Sequence, residues 1–320
     1  MRRLLLRRTA QATLVVLLVV TTCFALIRLA PGDPFFSGLD ATDVPPEAAA
    51  LMRERFGYDR PLVEQYWRFV SGIARGDLGW SHSRGRPVVE VLGEVVPNTL
   101  LLLGTALLVG FVCGVTLGAW QGWRDSPASR LTDRLALVVL SIPDFVLALL
   151  LALGPALAWG LFPMSGMRTE FGPGGVAGAL DLLHHLALPA GTLALLIAAT
   201  VARHQRAAMR DVREAEFIRA ARATGIPERR ILLRHALRNA ITPVFTVMGV
   251  LLPTLVGGAV LVERVFSWPG MGRTIVDAVS FRDYPLVAGG VILTSVGVVV
   301  GTLLADLAVA WADPRLRQRL

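Results

Sequence analysis

The residues that could do chemistry in this chain are charges set where charge is costly or where it recurs. Asp144 follows Pro143 inside a long apolar run. A carboxylate in such a run faces a cavity or a partner, because hydrocarbon does not solvate it. A second group lies in Asp211–Pro243, DVREAEFIRAARATGIPERRILLRHALRNAITP. There Glu216, Arg219, Arg222 and Glu228 offer ion pairs around two small residues, Ala220 and Ala221, and a glycine, Gly225. That chemistry is recognition rather than bond making.

Several kinds of catalysis are excluded by composition. All 32 basic residues are arginine. Without lysine there is no Walker-type phosphate lysine and no Schiff base. His184 and His185 are adjacent, and no His-Glu-x-x-His pattern is present, so no metal site is implied. No Gly-x-Ser-x-Gly elbow supports hydrolase chemistry. Cys23 and Cys113 lie in apolar runs and read as small buried hydrophobes.

The elements that must position these residues are membrane spans. The 320-residue chain is 54% hydrophobic and 18% charged, with mean hydropathy +0.58. Several apolar runs approach the ~20 residues that a transmembrane helix needs. The fold expected is an all-α polytopic membrane protein. The net charge of +8 is explained by basic cytoplasmic loops, so no nucleic acid partner is implied.

Six spans are predicted, near 12–29, 98–120, 134–161, 186–202, 241–262 and 285–311. Pro143 breaks the third. Pro253 with Gly257-Gly258 interrupts the fifth, as a loosened gate or as a close packing face. Residues 31–97 form a long external loop with helical pieces near 46–56 and 62–74. With both termini inside, 20 of the 32 arginines fall on the cytoplasmic side, and the short external loops hold few. No small-residue cleavage site follows the first apolar run, which reads as an uncleaved span.

The basic stretch then lies in the cytoplasm, between spans four and five. Ala220, Ala221 and Ala223 favour a helix that Gly225 can close in a left-handed cap. Pro227 suits the first turn of the next helix, and Glu228 suits its positive end. On that second helix Arg230, Arg234 and Arg238 form one ridge, with Leu233, Leu237 and Ile241 beside it. Such a helix can lie along the membrane surface.

The stretch resembles the cytoplasmic loop of permease subunits in binding-protein-dependent ABC importers, which carries a Glu-Ala-Ala, three residues, then Gly pattern. The corresponding residues are Arg219, Ala220, Ala221 and Gly225, with arginine in place of the glutamate. The dipeptide/oligopeptide branch, which also includes nickel and glutathione systems, is matched along nearly the whole chain. Pro31-Gly-Asp-Pro34, Gln65-Tyr66, Gly76-Asp-Leu-Gly79 and Pro97-Asn-Thr-Leu100 resemble its motifs. So do Glu263–Gly272 with Arg282-Asp-Tyr-Pro285, and Asp313-Pro-Arg315. The match looks most like the first of the two permease subunits.

That resemblance implies a domain plan: residues 1–30 as N-terminus and first span, 31–97 as external loop, and 98–320 as the core permease domain with its coupling loop at 203–240. It implies a non-catalytic subunit in a bacterial inner membrane, binding no cofactor itself. ATP and Mg would sit on two separate ATP-binding subunits. The other partners would be a second homologous permease and an extracytoplasmic solute-binding protein. Glu216, Arg219, Ala220, Ala221, Arg222, Gly225 and Glu228 would dock on the ATPase. From the residues themselves, Asp144 reads as a pathway residue near a substrate amine or as a structural contact at the broken helix, and Pro253, Gly257 and Gly258 as a pathway gate or a packing face. Trp268, Pro269, Arg282 and Asp283 would face the binding protein. Peptides, nickel complexes, glutathione and opines are the cargo considered. The alternative is a self-contained secondary transporter or channel.

Overall fold

The computed structural model describes residues 2–29, 47 and 60–312. The Pro31–Pro34 and Asp313–Arg315 motifs lie outside the described residues, as does the helical piece expected near 46–56, apart from Glu47.

Regular structure is almost entirely helical. In chain order it comprises α1 (Arg2–Leu29), α2 (Leu62–Ala74) and a short antiparallel hairpin of β1 (Trp80–Ser81) and β2 (Arg86–Pro87). There follow α3 (Val88–Trp123), α4 (Pro127–Ser141), α5 (Asp144–Leu151, continued as a π-helix over Ala152–Ala158), α6 (Gly175–Glu214) and α7 (Glu216–Ala223). The next helix, α8, starts at Glu228–Arg230, widens to a π-helix over Ile231–Ala236 and tightens again over Leu237–Ala240. The last are α9 (Thr242–Val265), α10 (Met271–Ser280) and α11 (Tyr284–Ala312).

Among the described residues, four helices are long and apolar enough to cross a membrane: Arg8–Leu29, Val88–Trp123, Gly175–Glu214 and Tyr284–Ala305. The bent pair Pro127–Ser141 and Asp144–Ala158 makes a fifth if it is a single span. The chain is therefore a multi-pass membrane protein. α9 occupies the stretch read as the fifth of six spans but is not counted among these helices.

The break between α4 and α5 has a local cause. Proline disfavours helical backbone in the residue before it. Ile142 is extended at φ −90° and ψ 126°, and the chain turns through 107°. The expected interruption of α9 does not occur, since the helix runs unbroken through the positions of Pro253, Gly257 and Gly258.

The contacts divide the chain into two compact units. One comprises Met1–Thr99 and Pro269–Val299. In it α1 meets α2, where the Phe24 and Tyr66 rings pack edge to face at 5.4 Å. A second apolar cluster joins Val88, Val91 and Leu92 to Met271, Ala278 and Leu286.

The other unit comprises Leu100–Trp268 and Val300–Leu320. Its core gathers buried residues such as Leu102, Ala148, Leu193, Ile197, Val201, Ala259 and Trp268. Gly110, Gly114, Gly118 and Gly122 occupy successive turns of α3 and face α6. A Cβ at any of them would lie within 2.4–2.7 Å of an α6 atom. Small residues at four-residue spacing let two helix backbones touch, which is how membrane helices gain contact without a hydrophobic driving force.

Candidate functional site

The charged stretch folds as a helix, a sharp corner and a second helix. α7 ends in a Schellman motif: the Gly225 N–H donates to Arg222 O at 3.0 Å and the Ile226 N–H to Ala221 O at 3.3 Å. Gly225 has φ +77°, the left-handed conformation that this motif requires. Pro227 is the N-cap of α8, so the new helix starts one residue later than expected.

α7 has two sides. Ile218 is fully buried, and Ala221 and Ile226 pack on the same apolar cluster as Met209 and Ile231. Glu216, Phe217, Arg219 and Ala220 are exposed. Phe217, at 45% exposure, was not singled out from the sequence. With Ala220 at i+3, it shares a helix face pointing away from the chain. Its only signal in the sequence is an aromatic residue out of phase with the buried Ile218.

The four candidate charges of the corner do not play one role. Arg222 Nε donates to Glu228 Oε1 at 2.6 Å, and the guanidinium stacks 5.3 Å from the Trp123 ring centroid. Arg213 Nη1 donates to the Trp123 carbonyl at 3.1 Å. Arg222 and Glu228 thus brace the corner internally, against a tryptophan far away in sequence. Arg219 Nη2 donates to Glu214 O at 3.2 Å.

The ridge expected on α8 is redistributed. Its buried residues are Ile231, Ala236 and Ala240, whereas Leu233 is 53% exposed. The step from 231 to 236 is five residues, the hydrogen-bond spacing of the wider π-helix that lies there. An α-helical period misreads this face because each turn holds an extra residue. Arg230, Arg234 and Arg238 are all exposed.

The residues expected along the pathway separate into a pair and two others. Asp144 opens α5, and its Oδ1 accepts the Phe145 N–H at 2.8 Å. A Cβ at Gly258 would lie 2.8 Å from Asp144 Oδ2. The two residues border one half-open cavity of about 180 Å³ in this unit. Gly257, next in sequence, has open space at its Cβ position. Pro253 lies within α9, one turn from Gly257.

Residues expected to face a binding protein are mostly inward. Trp268 is fully buried in the core of its unit, and its N–H donates to Glu263 O at 2.8 Å. Pro269 is half-buried, and its carbonyl accepts from Asn98 Nδ2 at 2.8 Å. Asp283 is buried: its Oδ2 accepts from Ser81 Oγ (2.6 Å), Ser83 Oγ (2.7 Å) and Ser83 N–H (3.0 Å). Its Oδ1 accepts the Leu286 N–H at 3.2 Å, capping α11. Burial alone would raise this carboxyl, but the Ser81 and Ser83 hydroxyls and the two N–H groups outweigh it and hold it below its ordinary value. Burial pushes the neighbouring His82 imidazole down, against the pull of Asp283. Only Arg282 of this set is exposed. Ser81 and Ser83 were invisible as partners, being some 200 residues from Asp283 in sequence.

Among the described residues, no three His, Cys, Asp or Glu side chains converge as a metal site would require.

Two family models match the chain. "Binding-prot-dependent transport system membrane comp, N-term" covers residues 1–103, and "Binding-protein-dependent transport system inner membrane component" covers 114–318. The chain belongs to this permease family. It is the permease component of a binding-protein-dependent ABC importer, a class that works with ATPase and other subunits. The oligopeptide transport system permease protein AppB of Bacillus subtilis is 35% identical over 98% of both chains. The glutathione transport system permease protein GsiC of Pectobacterium atrosepticum is 36% identical over 95% of both. The inward-facing MetNI methionine ABC transporter shares the fold at TM-score 0.54 and 19% identity, covering 70% of this chain and 96% of that one.

Proposed function

We propose that this permease passes small peptides or solutes of glutathione size across the bacterial cytoplasmic membrane, with both termini on the cytoplasmic side. It does so with a second, homologous permease. Two ATP-binding subunits hold ATP and Mg and supply the energy, and an extracytoplasmic binding protein delivers the solute. The chain does no bond chemistry of its own.

The observation that carries this reading is the corner at Gly225. α7 exposes Phe217 and Ala220 on a helix whose other side is anchored by Ile218, and Arg222 clamps the corner to Glu228 and Trp123. A short, braced helix with a small, partly apolar outer face fits a cleft on another protein. Closure of the ATPases would then move α6 and α8 as rigid bodies and switch access to the pathway. Arg282 is the exposed residue offered to the binding protein, beside the buried Asp283.

The test is reconstitution with the ATP-binding and second permease subunits. Loaded binding protein is expected to stimulate ATP hydrolysis and solute uptake. Gly225→Asp should insert in the membrane and lose that stimulation. Solute movement by the chain alone, or wild-type stimulation in Gly225→Asp, overturns the reading.

A further inference from the structure

The cavity between α5, α6 and α9 is lined by Leu193, Leu196, Ile197, Leu251, Leu255 and Gly258, with Asp144 and Thr200 as its polar side chains. Residues 193–200 lie near the middle of α6 and residues 251–258 near the middle of α9. The cavity therefore sits at mid-depth of the bundle, beside the break between α4 and α5. Broken helices at mid-depth are where membrane transporters place polar groups that meet their substrates.

Asp144 is poorly compensated there. Oδ1 holds only the adjacent Phe145 N–H, and Oδ2 is directed toward Gly258. Among the described residues no arginine forms an ion pair with it. Thr200 Oγ1 donates to Leu196 O at 2.9 Å, which leaves its oxygen able to accept. An unpaired carboxylate between leucines attracts a cation that can also donate hydrogen bonds. Gly258 is what keeps the place open, since any side chain at 258 would meet Oδ2. At about 180 Å³ the cavity is below the roughly 300 Å³ at which ligand pockets begin, so it takes one group of a solute rather than a whole one.

We infer that this cavity is a transient subsite for a primary ammonium group, such as the free amino terminus of a peptide, with Asp144 as its counter-charge. The inference rests on the importer reading for its purpose, but binding can be measured without transport.

The binding test uses the purified assembly and a hydrophobic carbodiimide, which modifies intramembrane carboxylates; labelling at Asp144 is followed by mass spectrometry. Millimolar trialanine is expected to slow labelling several-fold, and N-acetyl-trialanine to leave it unchanged. Equal effects of the two peptides overturn the inference. So does the absence of any labelling, which would mean that a partner subunit already covers or neutralises the carboxylate. In the transport arm, Asp144→Asn should lower uptake of amine-bearing solute at least ten-fold while binding-protein-stimulated ATP hydrolysis persists. Gly258→Leu, which fills the cavity from the opposite helix, should do the same. Wild-type uptake by either variant also overturns the inference. Protection by trialanine in an assembly that moves no solute would sink the importer reading and leave the subsite standing.

Discussion

Gly118 and Ala202 are in backbone contact: a Cβ built on Gly118 would lie 2.4 Å from the Ala202 carbonyl oxygen. The close approach continues a turn away on each side, where a Cβ on Gly114 would lie 2.9 Å from Ala198 O and one on Gly122 would lie 2.7 Å from Arg206 O. No flexible side chain is available to yield at 118, because the obstacle is backbone. Gly118→Leu is therefore expected to force α3 and α6 apart, at a cost of about 1–3 kcal/mol or more. Gly104, on the same helix with open space at its Cβ position, is the control. Thermal unfolding in detergent should show a large drop for Gly118→Leu and little change for Gly104→Ala.

Gly225 is required for a different reason. Nothing lies within 4 Å of its Cβ position, so space is not the constraint; φ +77° is. An L-residue in that conformation costs about 1–2 kcal/mol, and asparagine tolerates it better than alanine. Gly225→Ala should loosen the two closing hydrogen bonds and speed amide exchange at Gly225 and Ile226. Gly225→Asn should fall between it and the wild type. Equal exchange in all three would mean that the corner is held by the Arg222–Glu228–Trp123 contacts instead.

These glycines show what the sequence could and could not disclose. The break at Pro143 and the left-handed corner follow from local rules, because Pro143, Gly225 and Pro227 act on their own neighbours, whereas Pro253 leaves α9 unbroken. The Gly110–Gly122 series has a regular four-residue spacing, but within an apolar run nothing local says which helix it faces. The face of α8 was misread since a π-helix has no signature in residue types. Trp123 beneath Arg222, and Gly258 opposite Asp144, depend on helices brought together by the tertiary fold. Asp283 looked like a surface charge because its partners, Ser81 and Ser83, are remote in the chain.

Arg282 occupies a position that ordinarily belongs to glycine. It has φ +51° and closes α10 in a Schellman motif, with its N–H donating to Val279 O at 3.1 Å and the Asp283 N–H to Ala278 O at 2.8 Å. Arg282→Gly should relieve the backbone strain and raise thermal stability, by up to about 1 kcal/mol after the added freedom of the unfolded chain is counted. If Arg282 also meets the binding protein, the same variant should be more stable and yet less stimulated by it. A fall in melting temperature would show that the arginine side chain outweighs the strain.

Asp283 makes the stability of its unit depend on pH. Its folded-state pKa is held below the ordinary 3.8, because the hydroxyls of Ser81 and Ser83 and two N–H groups overcome the upward push of burial. A depressed carboxylate stabilises the fold above its unfolded value, and that stability is lost as the pH falls through the folded value. The wild type should therefore lose melting temperature progressively below about pH 4. Asp283→Asn should have a lower melting temperature at neutral pH, since a neutral amide accepts fewer hydrogen bonds, and a shallower acid slope. Ser83→Ala removes one of the donors that depress the pKa, so its acid loss should start at the same pH, be smaller in total and level off at a higher pH than in the wild type. Parallel acid slopes in all three proteins would show that Asp283 does not govern the transition.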